Sequence, residues 1–207
     1  IIGNTGFLGV PMLVLLLGPQ AAGTVILVLV IDLIVFSSLL TIVLTLAREG
    51  RLSPELPQVI GLGLVKNPMV VAMALGLAWS ATGLALPGPV SATTALLGAA
   101  ATPGALFAIG ASLSNSRAER MTVAGWLSFA KLVLHPLAVG SAALWVFHVD
   151  PFTAGVLISA AALPVAGNVY ILAQHYGVCV ARVSAAILIS TALSVLTLPL
   201  ILAQFTG

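Results

Sequence analysis

The sequence predicts an all-α integral membrane protein with several spans, and three observations predict it. Hydrophobic residues make up 60% of the chain, charged residues 6%, and the mean hydropathy is +1.23. Soluble domains carry about 25% charge, so this chain cannot cover a water-facing surface. Its apolar runs last about 20 residues, the length a helix needs to cross hydrocarbon. They are continuous and lack the alternation of a membrane barrel. Polar residues gather in short stretches between the runs.

Composition also excludes classes. The net charge of +2 comes from seven Lys/Arg against five Asp/Glu and gives no reason to expect a nucleic acid partner. The one cysteine, Cys179, precludes an internal disulfide and a cysteine metal site. The three histidines share no metal-ligand spacing. Gly3, Gly6 and Gly9 are not a dinucleotide fingerprint, because no strand precedes them. No cofactor is expected.

Taken in order, residues 1–17 are a short glycine-rich apolar run containing Pro11, closed by the turn Gly18-Pro19-Gln20. Residues 21–47 form a full span with Asp32 inside it. The polar stretch 48–58 must leave the membrane. Spans follow over 59–82, with Lys66-Asn67-Pro68 in its early part, and over 90–113. Residues 114–120 form a polar loop, and 121–147 form a span carrying Lys131, His135 and Pro136. After the loop 148–151 comes an interrupted run, 152–175, and then a last span, 181–204. The chain opens on Ile1 without a secretory signal pattern, so further spans are expected before it.

The interruption in 152–175 carries the strongest functional hint. Pro164, Gly167 and Asn168 lie near its middle. Proline removes a backbone donor and blocks the bond to the preceding turn; glycine loosens the chain further. In hydrocarbon each freed backbone group costs about several kcal/mol unless protein or water satisfies it. A break at that depth is covered by neighbours or lines a cavity, and broken helices of this kind build transporter sites. Residues 1–17 form a corresponding interrupted run. The two cross in opposite directions, as inverted repeats do.

The segments Gly3-Asn-Thr-Gly-Phe-Leu-Gly-Val-Pro11, Asn67-Pro68, Thr102-Pro-Gly-Ala-Leu-Phe-Ala-Ile-Gly-Ala-Ser-Leu113, Ala162-Leu-Pro164 through Asn168 to Tyr176-Gly177, Ser190-Thr191 and Leu196-Thr-Leu-Pro199 resemble the auxin efflux carrier family of permeases. That family includes bacterial malonate-type carriers and plant auxin exporters. The resemblance covers nearly the whole chain. It implies a bile acid symporter-like fold of ten spans in two inverted five-helix repeats. The fourth and ninth spans of such a fold are broken and cross at their unwound centres. Residues 1–47 would end the first repeat, 48–58 would be a cytoplasmic loop, and 59–207 would be the second repeat. The fold would be incomplete at the N-terminus here.

Site candidates follow. Asn168, Pro164 and Gly167 would present the start of a half-helix, with its N–H groups and positive dipole end, to a substrate carboxylate. Asn4, Thr5 and Pro11 are the counterparts in the first run. The plainer alternative is a proline-kinked helix with Asn168 bonded to a neighbour. Lys131 lies about 15 Å into its span, and a basic group at that depth is a functional candidate. His135 is one turn on, on the same face, and Asp32 is mid-span in another helix. These charges would be a structural Lys131–Asp32 pair, or an ion- or proton-coupling site. Lys66 can snorkel. Trp79, Trp126 and Trp145 suit an aromatic belt. His148, His175 and Cys179 fit ordinary interfacial positions.

The function expected is a secondary carrier for small organic anions, working by alternating access. The alternatives are a sodium-coupled bile acid symporter-like carrier, an intramembrane enzyme and a seven-span receptor. Paired carboxylates and a Ser/His motif are lacking, which argues against the enzyme. Expected partners are a small organic anion and the lipid bilayer, with a homodimer as assembly.

Counting each broken run as one crossing gives seven, and charge then orients them. The loops 48–58, 114–120 and 175–182 hold Arg48, Arg51, Arg117, Arg120 and Arg182, while the turns on the other side hold no Lys or Arg. By the positive-inside rule the arginine side is cytoplasmic. The protein is then multi-pass in the inner (plasma) membrane with its C-terminus outside. Alkaline phosphatase fused after Gly207 is expected to be active, and the same enzyme inserted in 114–120 inactive. The opposite pattern would reverse the orientation.

Overall fold

The computed structural model describes residues 2–49, 55–114 and 121–205. Arg51, Arg117 and Arg120, and with them most of the arginine-bearing loops, lie outside the described residues. Within those residues the chain is helical apart from its connections and one isolated β-bridge. The helices are α1 (Thr5–Leu17), α2 (Pro19–Leu46), α3 (Leu56–Lys66), α4 (Pro68–Ala81), α5 (Gly88–Ser114), α6 (Met121–Val146), α7 (Pro151–Ala161), α8 (Gly167–Tyr176) and α9 (Val180–Leu202).

Helices α2, α6 and α9 are long and apolar enough to cross a bilayer, as their runs predict. The run 59–82 is not one straight span. Helices α3 and α4 meet at a bend of 66°. Proline at 68 disfavours helical backbone in the residue before it, and Asn67 is extended there with ψ 113°. Asn67 then starts α4, its Oδ1 accepting Val70 N–H at 3.4 Å and its C=O accepting Val71 N–H at 3.0 Å. The interrupted run 152–175 is α7 and α8, with residues 162–166 between them outside either helix.

Two helices carry π-turns directly before a proline. In α1 the turn Thr5–Gly9 ends with Val10 N–H on Thr5 C=O, ahead of Pro11. In α6 the turn Ala130–Leu134 ends with His135 N–H on Ala130 C=O, ahead of Pro136. A proline cannot donate to the carbonyl four residues back, and its ring crowds that carbonyl. A wider turn before it relieves the clash while keeping the helix going.

The chain forms two compact units, residues 1–29 with 99–207, and residues 30–98. In the first, Leu13, Leu17, Ala21 and Val25 pack with Val156, Ala160, Ala162, Leu163, Leu198 and Leu202. Small residues bring α6 and α9 together through Ala124, Ala185 and Ala186, and Ser128 Oγ reaches Ala186 C=O at 3.2 Å. Close approach through small side chains is how helices associate in lipid. Asp150 caps α7, accepting Thr153 N–H at 2.9 Å, and that bond holds its carboxyl below the usual range. Gly177 closes α8 in the left-handed region, φ 67°, with Val178 N–H on Ala173 C=O.

In the second unit Trp79 Nε1 donates to Leu84 C=O at 3.0 Å, and Thr82 Oγ1 to Trp79 C=O, tying down the end of α4.

Gly155 on α7 lies under Phe205: a Cβ there would stand 2.7 Å from the ring and 3.1 Å from Phe205 Cβ. Gly155→Ala is therefore expected to destabilise the protein by about 1–3 kcal/mol, the usual effect of overpacking. Unfolding of the purified protein in detergent measures it, and an unchanged midpoint would place Phe205 elsewhere.

Candidate functional site

Pro164 decides the local structure at the end of α7. In an uninterrupted helix Val165 N–H would bond to Ala161 C=O and Ala166 N–H to Ala162 C=O. Pro164 stops the helix, and each of those donors turns elsewhere. Residues 164–166 run extended beside Ile2–Asn4 in the opposite direction, joined as an antiparallel bridge between Gly3 and Val165. Asn4 N–H donates to Pro164 C=O at 2.8 Å, and Ala166 N–H donates to Ile2 C=O at 2.9 Å. In this kind of pairing Gly3 and Val165 face each other without bonding, so their own N–H and C=O groups point away. Val165 N–H is taken by Ser190 Oγ of α9 at 3.1 Å.

The acceptor left behind, Ala161 C=O, is covered from α6. Lys131 is fully buried and its Nζ donates to that carbonyl. His135 Nδ1 lies 3.0 Å from Lys131 Nζ and 3.1 Å from the same carbonyl. In the tautomer with its hydrogen on Nε2, His135 Nδ1 accepts from Lys131, whose ammonium has donors for both, and a cation belongs at the negative end of α7. Gly3 makes room for it, since a Cβ there would stand 3.3 Å from Lys131 Nζ. Gly9 likewise lets α1 close onto the break: a Cβ would sit 2.5 Å from Leu163 Cδ1.

Both strands of the crossing lead straight into helix N-termini. Asn4 C=O accepts Leu8 and Gly9 N–H at the start of α1, and Ala166 C=O accepts Val169 N–H at the start of α8. The first N–H groups of a helix have no partner within it. An asparagine stands at each start. Asn4 is 4% exposed and Asn168 half-buried. The Oδ1 atoms of both are buried without a hydrogen-bond partner among the described residues. A buried polar atom left so costs about 1–3 kcal/mol. Rotation of either amide would present a donor in place of the acceptor.

The structure thus brings Asn4, Thr5, Pro164, Gly167, Asn168, Lys131 and His135 to one crossing. Thr5 and Pro164 are almost fully buried there. Pro11 stands apart, beyond the π-turn of α1; the segment opposite Pro164 is Ile2–Asn4. Asp32 belongs to the other compact unit. Three participants are not among the site candidates read from the sequence: Ser190, which enters there only within the Ser190-Thr191 motif, the carbonyl of Ala161, and Gly3 as the partner of Val165. The Ser190-Thr191 motif, a serine inside an apolar span, is the signal that points to the first. Nothing marks a particular carbonyl, or one glycine of three.

The family model described as "Membrane transport protein" matches residues 52–202. The chain belongs to that family. The finding agrees with the auxin efflux carrier motifs, and it makes this a membrane-embedded protein of a transporter family, not an enzyme family. A Rhizobium meliloti (strain 1021) protein named "Putative malonate transporter" is 32% identical over 200 residues, covering 94% of this chain and 62% of that relative. The chain therefore spans less than two thirds of the relative's length.

Replacing Lys131 by Met leaves Ala161 C=O short of its charged donor at the end of α7. Lys131→Met is expected to cost about 1.5–3 kcal/mol of stability, the range for a bond to a charged group. Thermal unfolding in detergent reads it. A midpoint equal to that of the unmodified protein would mean the carbonyl finds another donor.

Proposed function

We propose that the protein is a secondary carrier for small organic anions, carboxylates in particular, which bind at the crossing of the two interrupted segments. The observation that carries this is the pair of helix N-termini meeting at one antiparallel bridge, each with an asparagine whose buried Oδ1 has no hydrogen-bond partner among the described residues. Helix N-termini favour anions through their free N–H groups and dipole, and the amides add donors without a charge to desolvate. Asn168, Gly167 and Pro164 would form one arm of the site, and Asn4 and Thr5 the other. Pro11 would shape α1 from a turn away.

Alternating access follows from the same arrangement. The two arms would belong to inverted repeats, residues 1–47 ending one and 59–207 forming the other, and rocking of one bundle against the other would expose the crossing to each side in turn. The sodium-coupled alternative is less well supported, because the ammonium of Lys131 occupies the carbonyl that would otherwise attract a cation.

Malonate is the first ligand to try, given the relative's name. Uptake of radiolabelled malonate into liposomes containing the full-length protein is expected, with Asn168→Ala raising the half-saturating concentration about tenfold, equivalent to about 1.4 kcal/mol. Absence of flux for malonate and for other small carboxylates would end the proposal.

A further inference from the structure

The peptide unit joining Pro164 to Val165 is held at both ends. A trans peptide is planar, and its C=O and N–H point in opposite directions. Here the C=O accepts Asn4 N–H at 2.8 Å, which is one of the two bonds of the crossing. The N–H goes the other way, to Ser190 Oγ at 3.1 Å. Ser190 is fully buried, and its own hydrogen lies on Ile187 C=O at 3.2 Å. A hydroxyl has one hydrogen to give. With that hydrogen committed to its own helix, Ser190 meets Val165 only as an acceptor, so the bond has one direction and one geometry.

We infer that Ser190 is a positioning residue for the ligand site at the crossing, acting through the Pro164–Val165 peptide unit. Without the hydroxyl, Val165 N–H is an unsatisfied donor in a buried, apolar place. The peptide unit then turns to find another acceptor, and its carbonyl leaves Asn4 N–H. That shift moves Asn4 on one arm and, through Ala166 and Gly167, moves Asn168 on the other. Ser190 therefore ties α9 to both asparagines through the peptide unit, its own hydrogen bonds running to Val165 and Ile187.

The neighbouring serine sharpens the inference. Ser184 lies on the same helix, is 1% exposed, and its Oγ has no hydrogen-bond partner among the described residues. A buried serine on α9 does not acquire an external partner merely by being there. Ser184→Ala removes a hydroxyl of the same kind from the same helix and leaves the crossing alone.

The affinity readout rests on the carboxylate proposal; a second readout does not. In the full-length protein in liposomes, Ser190→Ala is expected to raise the half-saturating malonate concentration about tenfold, with the maximal rate changed by less than about twofold. Ser190→Cys, whose sulfur is a weak acceptor, falls between, and Ser184→Ala matches the unmodified protein. Amide hydrogen exchange, measured without any substrate, is expected to speed up over residues 2–4 and 163–168 in Ser190→Ala and not in Ser184→Ala. A lowered unfolding temperature with unchanged half-saturation would make Ser190 structural only and overturn the inference. Unchanged exchange over those residues overturns it as well. If the unmodified protein moves no malonate, the substrate proposal fails for that ligand and hydrogen exchange alone decides the role of Ser190. Should Ser190→Ala not fold, the same comparison is made with Ser190→Cys.

Discussion

One hydrogen bond that does not form organises the first compact unit. Val165 N–H and Ala161 C=O would be partners in a continuous helix, and Pro164 parts them in the middle of an apolar run. Water would make the parting cheap. Hydrocarbon does not, because a bare N–H or C=O there costs about several kcal/mol. Each half of the broken pair is therefore met by a side chain from a different helix: the donor by Ser190 of α9, the acceptor by Lys131 of α6. The next donor along, Ala166 N–H, reaches Ile2 C=O and so brings the start of the chain into place. The break is what draws three separate segments to one point.

Lys131 illustrates how far this requirement reaches. A fully buried ammonium is costly unless paired and bonded, yet this one sits inside a span. The freed carbonyl at the negative end of α7 gives it an acceptor, and His135 gives it a second. The π-turn Ala130–Leu134 is caused locally by Pro136, but it also carries Lys131. One extra residue per turn rotates the rest of the helix by about 100°, so the two halves of α6 present different faces. Gly3 completes the arrangement, because any side chain there would crowd Lys131 Nζ.

How much of this was legible in the sequence depends on the kind of residue. Pro164, Gly167 and Asn168 announce a break because they are rare in an apolar run, and Lys131 announces itself because charge is expensive there. The partners that heal the break are less visible. Ala161 contributes only its carbonyl, which every residue has. Ser190 is one of several small hydroxyl residues on α9, and Ser184 shows that such residues need not be partnered. The sequence pointed to Asn4, Thr5 and Pro11 together as the counterparts of the Pro164–Asn168 stretch, since both lie within interrupted runs. The bridge instead pairs Val165 with Gly3, and Pro11 acts within α1 by widening its first turns. The bend at Asn67-Pro68 was marked in the sequence as a motif; its size depends on the extended backbone that proline imposes on the residue before it.

The electrostatics of the crossing follow from which helix ends reach it. Helices α1 and α8 both start there, and each start is a positive dipole end of about half a charge. Helix α7 ends there, which contributes a negative end of similar size, and Lys131 lies on that end's carbonyl. The negative pole is therefore capped by a cation, while the two positive poles carry neutral asparagines. On the proposed reading, what remains at the crossing would favour an anion. On that reading, amides suit the helix starts because a carboxylate from the protein would occupy the place by itself, whereas Asn4 and Asn168 would leave the positive ends to a ligand.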